Sequence, residues 1–266
     1  VNKSDLVAAG INPGMNLQNL QLYVEGREQP LDILGDSIEF YGLGLDTPST
    51  DTRVYWLLEV TKPGKRMGIY QRTGGQPGYS RFPSTVEKKG RTIYFGALKN
   101  GEEDNFFGTV ISPVEADELL VLRHLDPSPP KEALLEISIQ GVTNISHQVR
   151  VEVNGVFVGQ IGFLGQGKGS GRFTVPQSIL IEGDNLVSFT AQGGEEDISL
   201  LDTLRMTYWH TYEADEDELK CTAQGGKQVT ITGFSQPGIR VYDITNPLAV
   251  LELGGGIKTQ AGTYEI

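Results

Sequence analysis

The sequence predicts an all-β protein made of two antiparallel β-sandwich domains. Segments in which apolar and polar residues alternate recur at intervals of roughly 8–12 residues, as they do in sandwiches. The 34 glycines and 13 prolines among 266 residues supply the many turns that such short strands need. No long amphipathic helical pattern accompanies the strands, which argues against repeated strand-helix-strand units.

The opening segment predicts one short helix followed by strands. Ser4 and Asp5 are residue types that cap a helix, and Gly10 is suited to end it. Glu25 and Gly26 lie between two apolar runs, which is the pattern of a tight hairpin. Strands are predicted here at residues 20–24, 30–33, 37–42 and 53–60.

The central block has the clearest strand pattern. Residues 133–139 and 147–153 alternate cleanly, and the Asn154-Gly155 dipeptide that follows favours a two-residue hairpin. The glycine-rich run 165–171 is predicted as a loop, since it lacks the spacing and the following helix of a phosphate-binding loop. Other strands are predicted at residues 92–95, 106–111, 156–159, 173–175, 186–189 and 204–212.

The tail adds strands after an acidic run, residues 213–218, which is predicted to be a solvated linker. Residues 1–78 and 214–266 are each short for a sandwich, but together they total about 130 residues, the size of one such domain. We therefore predict that a jelly-roll domain of residues 79–213 is inserted into a discontinuous, Ig-like sandwich domain. Strands are predicted in the tail at residues 228–231, 239–244 and 249–253.

Composition excludes several classes of function. The net charge of −12 and the pI near 4.7 argue against nucleic acid as a partner, because such partners require a concentrated basic face. No run approaches the ~20 apolar residues of a membrane-spanning helix. The single cysteine, Cys221, forms neither an internal disulfide nor a cysteine-rich metal site.

Seven short sequence segments, in a fixed order along nearly the whole chain, resemble those of a known protein family. They are residues 19–23 (NLQLY), 35–42 (GDSIEFYG), 50–57 (TDTRVYWL), 147–155 (HQVRVEVNG), 183–187 (GDNLV), 201–208 (LDTLRMTY) and 241–247 (VYDITNP). Together they resemble the region upstream of the peptidase domain in gingipain-like (clan CD) bacterial cysteine peptidases. The central phrases are similar to the jelly-roll, galactose-binding-like module of that region.

The resemblance implies a non-catalytic accessory or pro-region-like module, with no enzymatic activity and no cofactor of its own. In that family the Cys-His pair belongs to an α/β domain, which we expect beyond residue 266. A start without an initiator methionine or leader and an end in strand-like sequence also lead us to expect a segment of a longer polypeptide. The implied location is extracytoplasmic, and the implied partner is the catalytic domain of the same polypeptide.

Catalysis within this chain would need a nucleophile with a base beside it. Cys221 with His210 is the one pair to consider, but the neighbouring carboxylates oppose a thiolate and no α/β scaffold surrounds it. A small residue in or beside a strand is the simpler interpretation of Cys221. His124 and His147 are also interpreted as structural, because each is isolated in strand-like sequence.

Two acidic turns are candidates for a cation site, since calcium takes six to eight oxygen ligands from carboxylates, carbonyls and water. Neither turn has the spacing of an EF-hand, and solvated turns explain both. A site that draws on both requires them to meet at one rim. The candidate ligands are Glu102, Glu103 and Asp104 in the first turn and Glu195, Glu196 and Asp197 in the second.

An alternative function is carbohydrate binding, in which aromatic rings stack on the apolar side of a sugar. Tyr208, His210 and Tyr212 alternate onto one face of a predicted strand, with Trp209 on the other. If that face is open, it forms a binding platform for glycans or for surface proteins. Packing in the core or between domains explains the same alternation.

Overall fold

The computed structural model describes residues 1–48, 50–71, 75–128, 132–260 and 263–266. Strands hold 49% of the residues and helices 5%, so the protein is all-β, as predicted. The helical elements are α1 (Lys3–Ala8) and two 3₁₀ turns, Leu17–Asn19 and Gln177–Ile179. The strands are β1 Leu20–Val24, β2 Arg27–Gln29, β3 Asp32–Leu34, β4 Ser37–Glu39, β5 Trp56–Glu59, β6 Gly68–Tyr70, β7 Gln76–Pro77, β8 Arg81–Lys89, β9 Ile93–Tyr94, β10 Phe106–Phe107, β11 Val110–Ile111, β12 Ala116–Leu122, β13 Glu132–Gly141, β14 Ser146–Val153, β15 Val156–Leu164, β16 Lys168–Pro176, β17 Gly183–Ala191, β18 Ser199–Thr211, β19 Lys227–Gln228, β20 Val241–Asp243, β21 Leu251–Leu253, β22 Lys258–Gln260 and β23 Thr263–Glu265.

The chain divides into two compact units. Unit 1 comprises residues 1–74, 237–258 and 266, and unit 2 comprises residues 75–236 and 259–265. Segment length predicts that residues 214–236 belong to the discontinuous domain. In the structure these residues group with unit 2, the central unit. The reason is local hydrogen bonding: the Tyr212 hydroxyl donates to the Thr222 carbonyl at 2.6 Å, and the Thr232 N–H donates to the Tyr212 carbonyl at 3.0 Å.

Unit 1 begins with the short helix α1. Its N-cap is Asn2 rather than Ser4 or Asp5, and the Asn2 N–H donates to the Asp5 carboxylate at 3.2 Å. Gly10 follows the helix at a φ of +103°, a conformation that glycine adopts without strain. The predicted helix is therefore present, and its cap lies two residues earlier than expected.

Three small sheets form the rest of unit 1, in the orders β2-β1-β5, β3-β4 and β20-β21-β6. The β1–β2 hairpin turns at Glu25 and Gly26, both at positive φ, as predicted for a tight turn. β6 pairs in parallel with β21, so strands from the opening segment and from the tail share one sheet. The core consists of Leu6, Met15, Leu17, Leu20, Leu22, Leu31 and Ile38.

Unit 2 is a sandwich of two antiparallel sheets. Sheet A has the order β11-β18-β13-β16, with β8 also paired to β18, and sheet B has the order β12-β17-β14-β15. One continuous core contains buried side chains from both sheets, including Leu135, Val151, Phe189 and Leu204. Each such side chain contributes about 1.5–3 kcal/mol through removal from water.

The hairpin predicted at Asn154-Gly155 is confirmed. Val153 pairs with Val156, and both turn residues have positive φ, at 49° and 75°. This is the conformation of a type I′ turn, whose twist matches that of the flanking strands. The dipeptide therefore sets the pairing next to the turn, Val153 with Val156 and Glu152 with Phe157, and a bulge between Val151 and Glu152 shifts the register beyond it.

The glycine-rich run 165–171 is mostly strand rather than loop, which corrects the prediction. Only residues 165–167 form a turn, and β16 begins at Lys168. A Cβ on Gly169 would lie 2.3 Å from the Phe163 ring, and one on Gly171 would lie 2.5 Å from the Phe173 ring. Aromatic side chains cover these positions, so the glycines serve packing.

Candidate functional site

The predicted aromatic platform on β18 is interior rather than open. Tyr208, His210 and Tyr212 are all buried, and the Phe82 ring on β8 lies 5.0 Å from the rings of His210 and Tyr212. The Tyr208 hydroxyl donates to the Arg123 carbonyl at 3.0 Å, and burial raises the pKa of Tyr208. The alternation identified a buried face, so these three side chains pack in unit 2 and do not form an open aromatic platform.

A cluster of histidines and carboxylates lies at this end of β18. His210 Nε2 is 3.2 Å from Asp215 Oδ2, and His124 Nε2 is 3.4 Å from Asp215 Oδ1. His124 Nδ1 faces Glu213 Oε2 at 3.3 Å. The backbone N–H of His124, at a φ of +47°, donates to Glu182 at 2.7 Å. These contacts hold the His124 turn against the chain that follows β18.

The acidic run 213–218 is therefore not a free linker. In addition to the contacts of Glu213 and Asp215, Glu216 pairs with Arg123 at 2.6 Å. Asp217 accepts hydrogen bonds from the Ser235 hydroxyl and N–H, which lower its pKa. The carboxylates of this run bind residues that are distant in the sequence, and composition alone does not reveal such contacts.

Cys221 and His210 do not form a nucleophile–base pair. The ring nitrogens of His210 contact the Thr211 carbonyl and Asp215, and no hydrogen bond joins the ring to Cys221 in the part of the chain that is described. Cys221 is half-buried, and burial raises the pKa of its thiol. The thiol is thus held in its protonated, weakly nucleophilic form.

The first acidic turn is occupied by ion pairs. Glu103 pairs with Lys168, and Asp104 pairs with Arg91 at 2.8 Å. Asp104 also accepts the Phe106 N–H at 2.9 Å, while Glu102 is exposed. These carboxylates are directed to nearby cations of the chain rather than converging on one point.

The second acidic turn is split between interior and surface. Asp197 is completely buried beside His147, whereas Glu195 and Glu196 are exposed. Among residues 1–48, 50–71, 75–128, 132–260 and 263–266, no group of three or more His, Cys, Asp or Glu side chains is placed to hold a metal ion. The structure therefore does not bring the two turns together as a cation site.

His147 and Asp197 form a fully buried polar pair in unit 2. His147 Nδ1 lies 2.6 Å from Asp197 Oδ1, and Nε2 lies 3.0 Å from the carbonyls of Thr143 and Gly165. Both ring nitrogens thus lie within hydrogen-bond distance of oxygen acceptors. The pair joins β14 to two loops, and sequence reasoning missed it because the partners lie 50 residues apart.

A pocket of about 290 Å³ lies in unit 1, beside a network of charged residues. Arg240 contacts Asp32 at 2.6 Å, Glu39 at 2.5 Å and Glu252 at 2.7 Å. The hydrogen bonds to Glu252 and Asp32 raise the pKa of Arg240, while burial raises the pKa of the adjacent Tyr242 to about 12. Because the network links the tail to the opening segment, its role is to join the two parts of unit 1.

A larger groove, of about 370 Å³, lies in unit 2. We call it the Tyr79 groove. Its described lining residues are Pro77, Gly78, Tyr79, Ser80, Thr211, Tyr212, Glu213, Gln228, Val229, Thr230 and Thr232. Sequence reasoning did not identify it, because its three segments are distant in the chain.

No known family profile and no curated protein matches the sequence. In addition, no helix in the described ranges is long and apolar enough to cross a bilayer. The similarities found are to solved structures.

Dimeric latent PorU from Porphyromonas gingivalis is similar over 100% of this chain, with a TM-score of 0.72 and 12% identity. The chain spans 28% of the PorU chain. A CBM36 carbohydrate-binding module in complex with calcium and xylotriose matches 46% of this chain and 98% of its own, with 11% identity and a TM-score of 0.30. A family 35 carbohydrate binding module from Clostridium thermocellum matches 50% of this chain and 95% of its own, with 14% identity and a TM-score of 0.29.

TM-scores near 0.3 do not establish a shared fold between this chain and the two carbohydrate-binding modules. An identity of 12% establishes likeness of fold and nothing more about PorU. Along its full length, the chain therefore has the fold of one part of the much longer PorU chain.

Proposed function

We propose that this chain is a non-catalytic accessory module of a gingipain-like cysteine peptidase, located outside the cytoplasm, whose partner is the catalytic domain of the same polypeptide. The observation that carries the proposal is the extent of the shared fold, which covers all of this chain but 28% of PorU. The ordered phrases that resemble the region upstream of gingipain-like peptidase domains support the same assignment.

The chemistry of the described side chains supports a non-catalytic role. Cys221 has a raised thiol pKa and no base beside it, and the histidines contact carboxylates and backbone carbonyls. The fully buried residues His147 and Asp197 bind each other and the surrounding backbone. Such pairs hold a fold together.

An exposed apolar face in unit 1 is suited to docking. Trp56 is 64% exposed on β5, an edge strand of its sheet, and Leu58 is exposed two residues later on the same face. Tyr23 of β1 is the cross-strand partner of Trp56, so the three side chains form one surface. Tryptophan and tyrosine dominate binding energy at many protein interfaces, and we assign this Trp56 face to the catalytic domain.

Two experiments test the proposal: sequencing of the gene downstream of this segment, and a binding measurement. The sequence downstream of residue 266 should encode an α/β domain with a Cys-His pair; its absence would overturn the proposal. With that domain produced separately, calorimetry should detect association with this chain. Trp56→Ser should weaken it about tenfold or more, as expected for an aromatic anchor. Tyr94→Ser in unit 2 is the matched control, because Tyr94 is similarly exposed, at 62%.

A further inference from the structure

The Tyr79 groove is held in shape by backbone contacts. One wall is residues 77–80, and the Gly78 N–H donates to the Gln228 carbonyl of the opposite wall at 2.8 Å. β7 and β19 pair in parallel behind this contact. A Cβ on Gly78 would lie 3.2 Å from the Lys227 Cβ and 3.3 Å from the Gln228 carbonyl oxygen, so the glycine permits the close approach. The groove therefore exists before any ligand arrives, which lowers the entropic cost of binding.

The floor of the groove is fixed in the same way. It is the end of β18 and the two residues after it, and the Thr232 N–H donates to the Tyr212 carbonyl at 3.0 Å. The Ala214 N–H donates in turn to the Thr232 carbonyl at 2.8 Å. The volume of about 370 Å³ lies within the range of ~300–1,000 Å³ that is typical of small-molecule sites. A groove of this volume can hold a small ligand.

The lining combines an aromatic ring with neutral polar groups. Tyr79 is 71% exposed, so a face of its ring is available for stacking. Ser80, Gln228 and Thr230 are also exposed, and within the described ranges their side chains make no hydrogen bond to the protein. Hydroxyl and amide groups both donate and accept, as the hydroxyls of a sugar do.

The charge of the lining selects among polar ligands. Glu213 is the one charged residue among the described lining residues, and it also faces His124 at 3.3 Å. No lysine, arginine or histidine is among the described lining residues, although the exposed Lys227 flanks Gly78, and the carboxylate of Glu213 would repel a phosphate or carboxylate ligand. A neutral ligand avoids this repulsion.

We propose that the Tyr79 groove binds a short neutral saccharide, with one sugar ring stacked on Tyr79 and its hydroxyls bonded to Ser80, Gln228 and Thr230. This site differs from the predicted one on β18, whose rings are buried, and it is separate from the accessory role. The saccharide would bind to unit 2 alone.

The test is a glycan array of neutral oligosaccharides and oligogalacturonates, probed with the whole chain. The best neutral oligosaccharide then goes to calorimetry and to amide shift mapping by NMR. We expect saturable binding, shifts centred on residues 77–80 and 228–232, and about tenfold weaker binding for Tyr79→Ala. Tyr94→Ala is the matched control, and it should bind like the parent chain because Tyr94 lies outside the lining.

The outcomes separate this proposal from its alternatives. No neutral saccharide bound, a preference for oligogalacturonates, or equal binding by Tyr79→Ala would each overturn it. A double variant, Ser80→Ala with Thr230→Val, should also weaken binding, and both positions are exposed, so the fold should persist. Trp56→Ser should leave saccharide binding unchanged, so failure of the docking proposal and failure of this one can be told apart.

Discussion

Replacing Asp197 with alanine is expected to destabilise unit 2 by about 3–5 kcal/mol, the usual cost of breaking a buried ion pair from one side. Asp197 and His147 are both 0% exposed. Besides the 2.6 Å contact with His147, the carboxylate accepts the N–H groups of Gln148 at 3.1 Å and Gly193 at 2.8 Å. Alanine would leave His147 Nδ1 and two backbone donors without a partner in the interior.

The magnitude can be worked out from those lost contacts. Each buried donor left unsatisfied costs roughly 1–3 kcal/mol, so three of them agree with the range for a broken pair. At about 2–4 °C per kcal/mol for a domain of this size, the melting temperature should fall by about 6–20 °C. Asp197→Asn should cost less than alanine, since the amide oxygen still accepts from the backbone and the amide N–H can donate to a neutral His147.

The assay is urea unfolding followed by tryptophan fluorescence. The chain has two tryptophans, Trp56 in unit 1 and Trp209 in unit 2, so a Trp56→Phe background reports on unit 2 alone. Glu195→Gln is the control from the same turn. Because Glu195 is exposed, its replacement should change stability by less than about 0.5 kcal/mol.

The reasoning would be refuted if Asp197→Ala cost less than about 1 kcal/mol, the level of a single ordinary hydrogen bond. That result would mean that water or a shifted loop satisfies His147 and the two N–H groups. Equal losses for Asp197→Ala and Glu195→Gln would refute it as well.

Further predictions concern acid stability, thiol reactivity, glycine packing and domain organisation. Burial raises the pKa of Asp126, but hydrogen bonds from Ser128 and from Arg81, the latter at 2.5 Å, outweigh it and bring the pKa below its ordinary value. The ionised Asp126 carboxylate therefore stabilises the folded state fully above its unfolded pKa of about 3.9, and this contribution is lost as the pH falls through the folded pKa. Asp126→Asn should remove this part of the acid transition in urea titrations from pH 5 to pH 2. Because burial raises the pKa of Cys221, its reaction with a disulfide reagent at neutral pH should be slower than that of glutathione and should accelerate in urea; rapid labelling of the native chain would contradict the structure. Gly159→Ala should cost about 1–3 kcal/mol in thermal melts, because its Cβ would lie 2.2 Å from the Phe173 ring, and a neutral effect would show that the ring moves freely. Unit 1 comprises residues 1–74 together with 237–258, so a chain ending at residue 236, which lacks the β21 partner of β6, should lose the cooperative unfolding transition that Trp56 reports; an intact transition would contradict the dependence of the opening segment on the tail.

Local patterns in the sequence were sufficient for the class and for most strands. Alternation over a few residues identifies a strand, and a dipeptide such as Asn154-Gly155 encodes its own turn because both residues tolerate positive φ. The same local logic misread the run 165–171. Glycine there permits close packing of Phe163 and Phe173, and a sequence does not show which ring will cover which position.

Alternation and turn dipeptides in the sequence predict an all-β protein, the hairpins at Glu25-Gly26 and Asn154-Gly155, and a strand with Tyr208, His210 and Tyr212 on one face. Contacts between distant segments place that face in the interior, pair Asp197 with His147 and bring together the three segments that line the Tyr79 groove. Strand and turn preferences act between neighbours in the chain, whereas burial, ion pairing and concave sites arise where segments far apart in sequence pack together.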